Sequence, residues 1–360
     1  MASSNLPLTV GMPFNRVLFS FRCQNNFEAH PMNLAIRRDE YDPSLLPDLT
    51  GKVALVTGSN SPLGIGWNVA NQLALQGAKV YVHARTLDKA QAGITAILAS
   101  SQGRISVKQL EPFVVELSNL RAVRDVAAAF VVKESRLDIL VNNAAVLACG
   151  LKLDDHGIST SMTVNHFAPF VLTLGLLPLL KKTAQNHPGV RIVTLSSIAH
   201  VLITPDVKVD SLQSLNNDFG ERDGAEANLK RYGYSKLANI LFAKELQRKL
   251  DEAGIQAISV AVHPGGVKTD GSINFVGPEN LSRLDDAQTP LQGALAPLFV
   301  AAAEEVWEER SKWAAAYVMP YGVPSPEDES EAAKDSKLAK ELWETTEKVL
   351  TENVGISVKF

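Results

Sequence analysis

Cysteine is nearly absent from this chain. Cys23 and Cys149 are the only two in 360 residues. They lie far apart and outside any CxxC pattern, which argues against a disulfide framework and against a zinc site. A reducing compartment fits, and no metal site is expected. A basic excess is also missing: the net charge is −4 and the isoelectric point is near 6.0. A nucleic-acid partner would need a basic face, so none is expected. The longest apolar run, Ala168 to Leu180, is too short to span a bilayer and contains Pro169 and Pro178. It reads as a buried helix, and no transmembrane segment is expected.

Acid is missing from one place only. Met1 to Phe27 holds no Asp or Glu, while Arg16 and Arg22 stand among Ser, Asn and Phe. That composition resembles an organelle transit segment. It also suits a disordered extension, or a later start at Met32. A cytoplasmic location is the first expectation and a mitochondrial one the alternative. Residues 1–48 are taken as an N-terminal extension, and 49–360 as one domain that includes C-terminal helices around the substrate.

The rest of the chain has ordinary globular content, 46% hydrophobic and 21% charged, with enough apolar material for a large core. From Lys52 onward, short apolar runs alternate with helical stretches. Strands are expected at Lys52–Thr57, Lys79–Ala84, Phe113–Leu117, Asp138–Asn143, Arg191–Ser196 and Gln256–His263. Helices are expected at Ile65–Gln76, Leu87–Ser101, Leu120–Lys133, Ile158–Lys182 and Tyr232–Leu250. This alternation implies parallel βαβ units in an α/β fold, a doubly wound parallel sheet with helices on both faces. Strands that are apolar throughout agree with a sheet covered on both sides. After His263 a loop or lid is expected over Pro264–Ala287, then helices at Gly293–Trp307 and Ala332–Leu350.

The turn after the first strand reads TGSNSPLGIG, Thr57 to Gly66. Glycines there let the backbone approach a pyrophosphate, and the helix that follows offers free N–H groups and a positive dipole end. At the end of the second strand stands Arg85, with no acid before Asp88. An acid at this place would accept from the adenosine ribose, whereas an Arg suits a 2′-phosphate, so NADP(H) is favoured over NAD(H). Ser59 and Lys89 are placed to assist.

The pair Tyr232 and Lys236 is the only Tyr-x-x-x-Lys in the chain. Four-residue spacing puts both on one helix face. A carbonyl that accepts hydride must be protonated, and a tyrosine with a cation beside it can supply that proton. Ser197, at the end of the fifth strand, is placed to hold the substrate oxygen. His200 and His263 read as hydrogen-bonded framework groups, and Cys149 as a small filler.

In this order the motifs resemble the short-chain dehydrogenase/reductase family over about Lys52 to Thr269. The glycine turn is similar to TGxxxGxG, but five residues, not three, separate Gly58 from Gly64. NNAA, Asn142 to Ala145, stands for NNAG, and HPGGVKT, His263 to Thr269, resembles PGxxxT. The runs SSIAH, HPG and YSKLANILFAKELQRKL look most like the retinol-dehydrogenase-like branch, with fungal members that act on apolar or secondary-metabolite carbonyls.

The resemblance implies a single Rossmann-type domain and a catalytic set of Asn165, Ser197, Tyr232 and Lys236, with Asn165 holding a water that relays protons to Lys236. It also implies cofactor contacts from Gly58, Ser59, Ser61, Leu63, Gly64, Ile65 and Gly66. Further contacts are expected from Arg85, from Glu116 and Leu117, and from Asn143 and Ala144. Asn165, Tyr232, Lys236, Val267 and Thr269 complete the cofactor set. A homo-oligomer is expected, since the apolar helix through PFVLTLGLLPLL stands where the family usually forms its interface. The function expected is NADP(H)-dependent hydride transfer between the nicotinamide and a small apolar carbonyl or alcohol. The alternative is a catalytically weak nucleotide-binding or regulatory protein on the same fold.

Overall fold

The computed structural model describes residues 42–320 and 322–360. The transit-like stretch lies outside the described residues. Of the expected extension, Pro43 to Asp48 runs against the domain: Leu46 is buried, and the Gln76 side chain donates to the Pro43 carbonyl.

Eight strands form one sheet. They are β1 (Val53–Val56), β2 (Lys79–Ala84), β3 (Leu110–Val114), β4 (Ile139–Asn142), β5 (Val190–Leu195), β6 (Ala257–Val262), β7 (Tyr317–Met319) and β8 (Val323–Pro324). Their order is β3-β2-β1-β4-β5-β6-β7-β8, parallel except for the β7–β8 pair. The order reverses between β1 and β4. In a sheet of this kind, that switch point opens a crevice beyond the carboxyl ends of the strands.

Side-chain alternation divides the core in two. Leu55, Tyr81, Leu140 and Ile192 face one cluster, and Val56, Val82, Val141 and Val193 face the other. The second side is covered by α1 (Ile65–Leu75), α2 (Leu87–Ser100) and, further along the chain, Pro290–Ala302. The first side is covered by α3 (Leu120–Lys133), α4 (Thr160–Asn186) and α5 (Ala225–Glu252). Beyond β6 lie α6 (Asp270–Val276), α7 (the Pro290–Ala302 helix) and α8 (Ser336–Val349).

Several expectations change. β3 begins three residues earlier than the sequence pattern indicates, because Pro112 lies inside it. β3 is an edge strand, where a residue without an N–H is tolerated. α5 starts at Ala225, two turns before Tyr232. Its polar first turns sit on a half-exposed face, with Lys230 paired to Glu226 and Ala227 turned inward. The Pro264–Ala287 stretch contains α6 and a 3-10 segment, Pro278–Leu284. The last helix breaks at Asp335, which caps α8.

Helix α4 is long and apolar enough to cross a membrane, yet 89% of its most apolar window is buried inside the chain. Trp343 of α8 packs on Phe170 of α4 and Phe242 of α5, with ring centroids 4.7 and 5.9 Å away. The apolar surface from which association was expected is thus covered in part by the chain's own C-terminal helix.

Candidate active site

The glycine turn is held from below. Gly58 has φ +64°, and a Cβ on it would lie 3.0 Å from Ala144 Cα. Its N–H donates to His83 Nδ1 at 2.8 Å, so Nε2 carries the imidazole hydrogen and donates to the Val115 carbonyl at 3.0 Å. Burial lowers the His83 pKa to about 4, which keeps the ring neutral and able to accept. Ser59 faces inward. Its hydroxyl donates to the Val56 carbonyl at 2.7 Å and accepts from the His83 N–H at 2.9 Å. Ser59 therefore builds the turn, and its side chain does not line the cleft.

Gly66 has the tightest requirement. A Cβ there would stand 2.3 Å from Asn143 Nδ2 and 2.7 Å from the Gly58 carbonyl. Asn143 uses the space to donate to the Thr57 carbonyl at 2.7 Å, which joins the end of β4 to the turn. Ala144 joins it too, through its N–H to Thr57 Oγ1 at 3.0 Å. α1 starts after Gly64 with no side-chain cap and no acid in its first turn. Free N–H groups at a helix start, reached over bare glycine backbone, suit the pyrophosphate of a dinucleotide. The residues present therefore fit the cofactor.

The two additional residues of the turn project outward, with Pro62 exposed and Leu63 49% exposed. Ser61, just before them, donates its hydroxyl to Asp270 Oδ2 at the start of α6. The longer turn thus meets the segment after β6 across the crevice. Ile65 is half-buried at the start of α1.

Arg85 stands exposed beyond β2, beside Thr86, which caps α2, and Lys89 is exposed one turn on. No ion pair among the described residues engages Arg85. Glu116 is exposed beyond β3 and accepts from the Ser118 N–H, and Leu117 is buried.

At the carboxyl end of β5 the expected catalytic side chains meet. Ser197 is buried beside Tyr232. Lys236 Nζ lies 5.5 Å from the centre of the Tyr232 ring and donates to the Leu195 carbonyl at 3.0 Å. Burial raises the Tyr232 pKa to about 12, against the lowering effect of Ser197, and burial lowers that of Lys236 to about 7. Ser196 donates its hydroxyl to the Lys236 carbonyl at 2.8 Å and so fastens α5 to β5.

Asn165 lies in a π-helical stretch, Thr163–Phe167, within α4. Such bulges recur at functional sites because they free backbone groups. Its side chain is already engaged: Oδ1 accepts from the Val146 N–H at 2.8 Å, and Nδ2 donates to the Val146 carbonyl and to Ser235 Oγ, both at 2.9 Å. Of the two groups expected to hold the water, the backbone and the amide of Asn165, the amide is thus taken. The amide joins the segment after β4 to α5, and the backbone of the bulge remains for a water. Thr269 is similar. Its hydroxyl caps α6 by accepting from the Ser272 N–H at 3.2 Å, while buried Val267 bridges to Gln288.

A family model described as short chain dehydrogenase matches residues 52–207. A short-chain dehydrogenase/reductase of Armillaria gallica is 40% identical over 319 residues, covering 86% of this chain and 96% of the relative. The chain belongs to the short-chain dehydrogenase/reductase family. Within that family of oxidoreductases it falls in the retinol-dehydrogenase-like branch, alongside fungal relatives. Retinol dehydrogenase 12 of Mus musculus is 35% identical over 258 residues, 69% of this chain and 74% of the relative. Among solved structures, a putative uncharacterized protein from Mycobacterium Paratuberculosis superposes with a TM-score of 0.64 at 27% identity, covering 89% of this chain and 99% of that one.

Sequence reading missed several residues of this short-chain dehydrogenase/reductase site. His83 gave no signal beyond its place in β2. Ser235 stands inside the YGYSK motif but between its two named positions. Gly233 carried a signal: a glycine inside a strong helix costs stability and marks close packing. The two framework histidines are engaged as expected. The Ser330 N–H donates to His200 Nε2 at 3.1 Å and His200 Nδ1 donates to the Ser197 carbonyl at 2.8 Å, while the Gly265 N–H approaches His263 Nδ1 at 3.4 Å. Cys149 is half-buried, with Sγ 3.4 Å from Ser161 Oγ.

Proposed function

We propose that the chain is an NADP(H)-dependent oxidoreductase that interconverts a carbonyl and an alcohol on a small, apolar substrate. The observation that carries this reading is the meeting of Ser197 and Tyr232 at the carboxyl edge of the sheet, with Lys236 Nζ 5.5 Å from the centre of the same ring. Bound NADP(H) supplies or accepts the hydride. Ser197 holds the substrate oxygen against the Tyr232 phenol. In the reductive direction Tyr232 gives its proton to that oxygen; in the oxidative direction its phenolate takes it back. A charged Lys236 favours the phenolate, and its place beside the ring lets it act on each transfer. Arg85, exposed and without an ion-pair partner among the described residues, is suited to the 2′-phosphate.

The test is NADPH oxidation with a panel of apolar aldehydes and ketones, against Tyr232→Phe. Turnover above that variant is expected for at least one compound. No turnover with any compound, while NADPH still binds, would favour a nucleotide-binding protein without catalysis. For cofactor choice, Arg85→Ala is expected to weaken NADPH binding about tenfold to a hundredfold and to leave NADH unchanged. Equal weakening of both would count against a 2′-phosphate contact.

A further inference from the structure

Arg231, directly before Tyr232, is 3% exposed, and its guanidinium gathers separate stretches of chain. Nη1 donates to the carbonyls of Asp218 and Glu221 at 2.7 and 2.8 Å. Nη2 donates to the Arg222 carbonyl at 3.0 Å and to Asn228 Oδ1, and Nε points to the Cys149 carbonyl at 3.4 Å. The two outer stretches also meet directly, where the Leu151 N–H donates to the Arg222 carbonyl at 2.7 Å. Asn228 Nδ2 holds Asp223 Oδ1 at 3.0 Å.

The five acceptors are neutral oxygens, and four of them are backbone carbonyls. The four carbonyls belong to irregular chain, where no helix or strand ladder satisfies them. A planar guanidinium, with its donors fixed in a fork, can serve such a set, whereas a lysine offers a single compact head. The Cys149–Leu151 stretch follows β4, and Asp218–Asp223 lies in the connection after β5. Both connections leave the carboxyl edge of the sheet, where ligands of such folds bind.

We propose that Arg231 is a positioning residue that fixes the rim of the substrate mouth. It would govern affinity for the part of the substrate beyond the reacting carbonyl, and leave the cofactor cleft unaffected. This rests on the oxidoreductase reading for its kinetic consequence, but the ordering of the rim does not.

The experiment therefore has two arms. The first measures KM and kcat for straight-chain aldehydes of increasing length, with NADPH affinity by fluorescence, in wild type, Arg231→Lys, Arg231→Gln and Asn228→Ala. For long aldehydes a rise in KM of roughly tenfold is expected in both Arg231 variants, with kcat and NADPH affinity within about threefold of wild type. Short aldehydes should change little, lysine should not rescue, and Asn228→Ala should shift KM in the same direction by less.

The second arm measures amide hydrogen exchange, which needs no turnover. Residues 147–151 and 217–223 should exchange faster in Arg231→Gln, and the glycine turn should not. If Arg231→Gln does not fold, Asn228→Ala alone decides both arms. Unchanged KM at every chain length, or unchanged exchange at the rim, would overturn the proposal. So would a fall in kcat independent of chain length, which would place the effect on Tyr232. A wild type without turnover but with the expected exchange change would fail the oxidoreductase reading and leave the rim assignment standing.

Discussion

A methyl group added to Gly233 would lie 2.3 Å from the carbonyl oxygen of Ala199. Helix α5 therefore rests directly on the turn that carries Ser197, backbone against backbone. That closeness is what brings the Tyr232 phenol to the Ser197 hydroxyl. Gly233→Ala is expected to push the helix away and lower kcat by about tenfold to a hundredfold, the scale of a misplacement near one ångström. Steady-state kinetics read the change, with circular dichroism melting as the control for folding. A folded variant with wild-type kcat would show that the close approach is not needed.

The Ser61–Asp270 hydrogen bond joins two walls of the cofactor crevice. It involves the lengthened glycine turn and the first residue of α6. Opening this contact is expected to be part of cofactor release. Ser61→Ala and Asp270→Asn should each speed NADPH dissociation by roughly threefold to tenfold, the net worth of one ordinary hydrogen bond. Stopped-flow fluorescence measures the rate. Unchanged dissociation in both variants would leave the contact without a role in release.

Four histidines make stability depend on pH. Burial lowers the pKa values of His83 and His200 to about 4 and those of His166 and His263 to about 3. An unfolded histidine titrates near 6.5. Between 6.5 and those lower values the unfolded chain binds protons that the folded chain does not. The contribution is therefore complete above pH 6.5 and is lost as pH falls toward 3 to 4. Urea unfolding midpoints should drop steadily from pH 7 to pH 4.5. His166, whose ring makes one hydrogen bond among the described residues, from Nε2 to Thr346 Oγ1, offers a check. His166→Gln should flatten that slope, and an unchanged slope would remove His166 from the account. Protonation of His83 in the folded chain would also take away the acceptor of the Gly58 N–H, so cofactor affinity should hold down to about pH 5 and weaken only as pH falls to about 4.

The strand–helix alternation and the meeting of Ser197, Tyr232 and Lys236 were legible in the sequence, because each follows from local pattern. α3 runs over Leu120–Lys133, the same residues that its apolar period marks. Features that depend on distant neighbours were not legible. Pro112 made β3 look as if it began three residues later, since nothing local says that one side of the strand lacks a partner. β7 and β8 are too short to show a period. Ser59 looked like a cofactor contact because it stands in the glycine turn, yet its hydroxyl turns toward Val56 and His83. The role of Asn165 depends on Val146 and Ser235, and the latter lies 70 positions away. The C-terminal cover on α4 was hidden for the same reason: Trp343 and Phe170 are joined by packing alone.

The most direct test of the central claim follows the hydride and the proton together. NADPH carrying deuterium at the transferable position is incubated with the protein and the best aldehyde of the panel. The alcohol formed is then examined by mass spectrometry and NMR. One deuterium at the former carbonyl carbon is expected with wild type, and a yield lower by about a hundredfold or more with Tyr232→Phe. Labelled alcohol formed equally by Tyr232→Phe would contradict the assignment of Tyr232 as the acid. Absence of labelled alcohol with wild type, across aldehydes and ketones alike, would contradict the carbonyl chemistry itself.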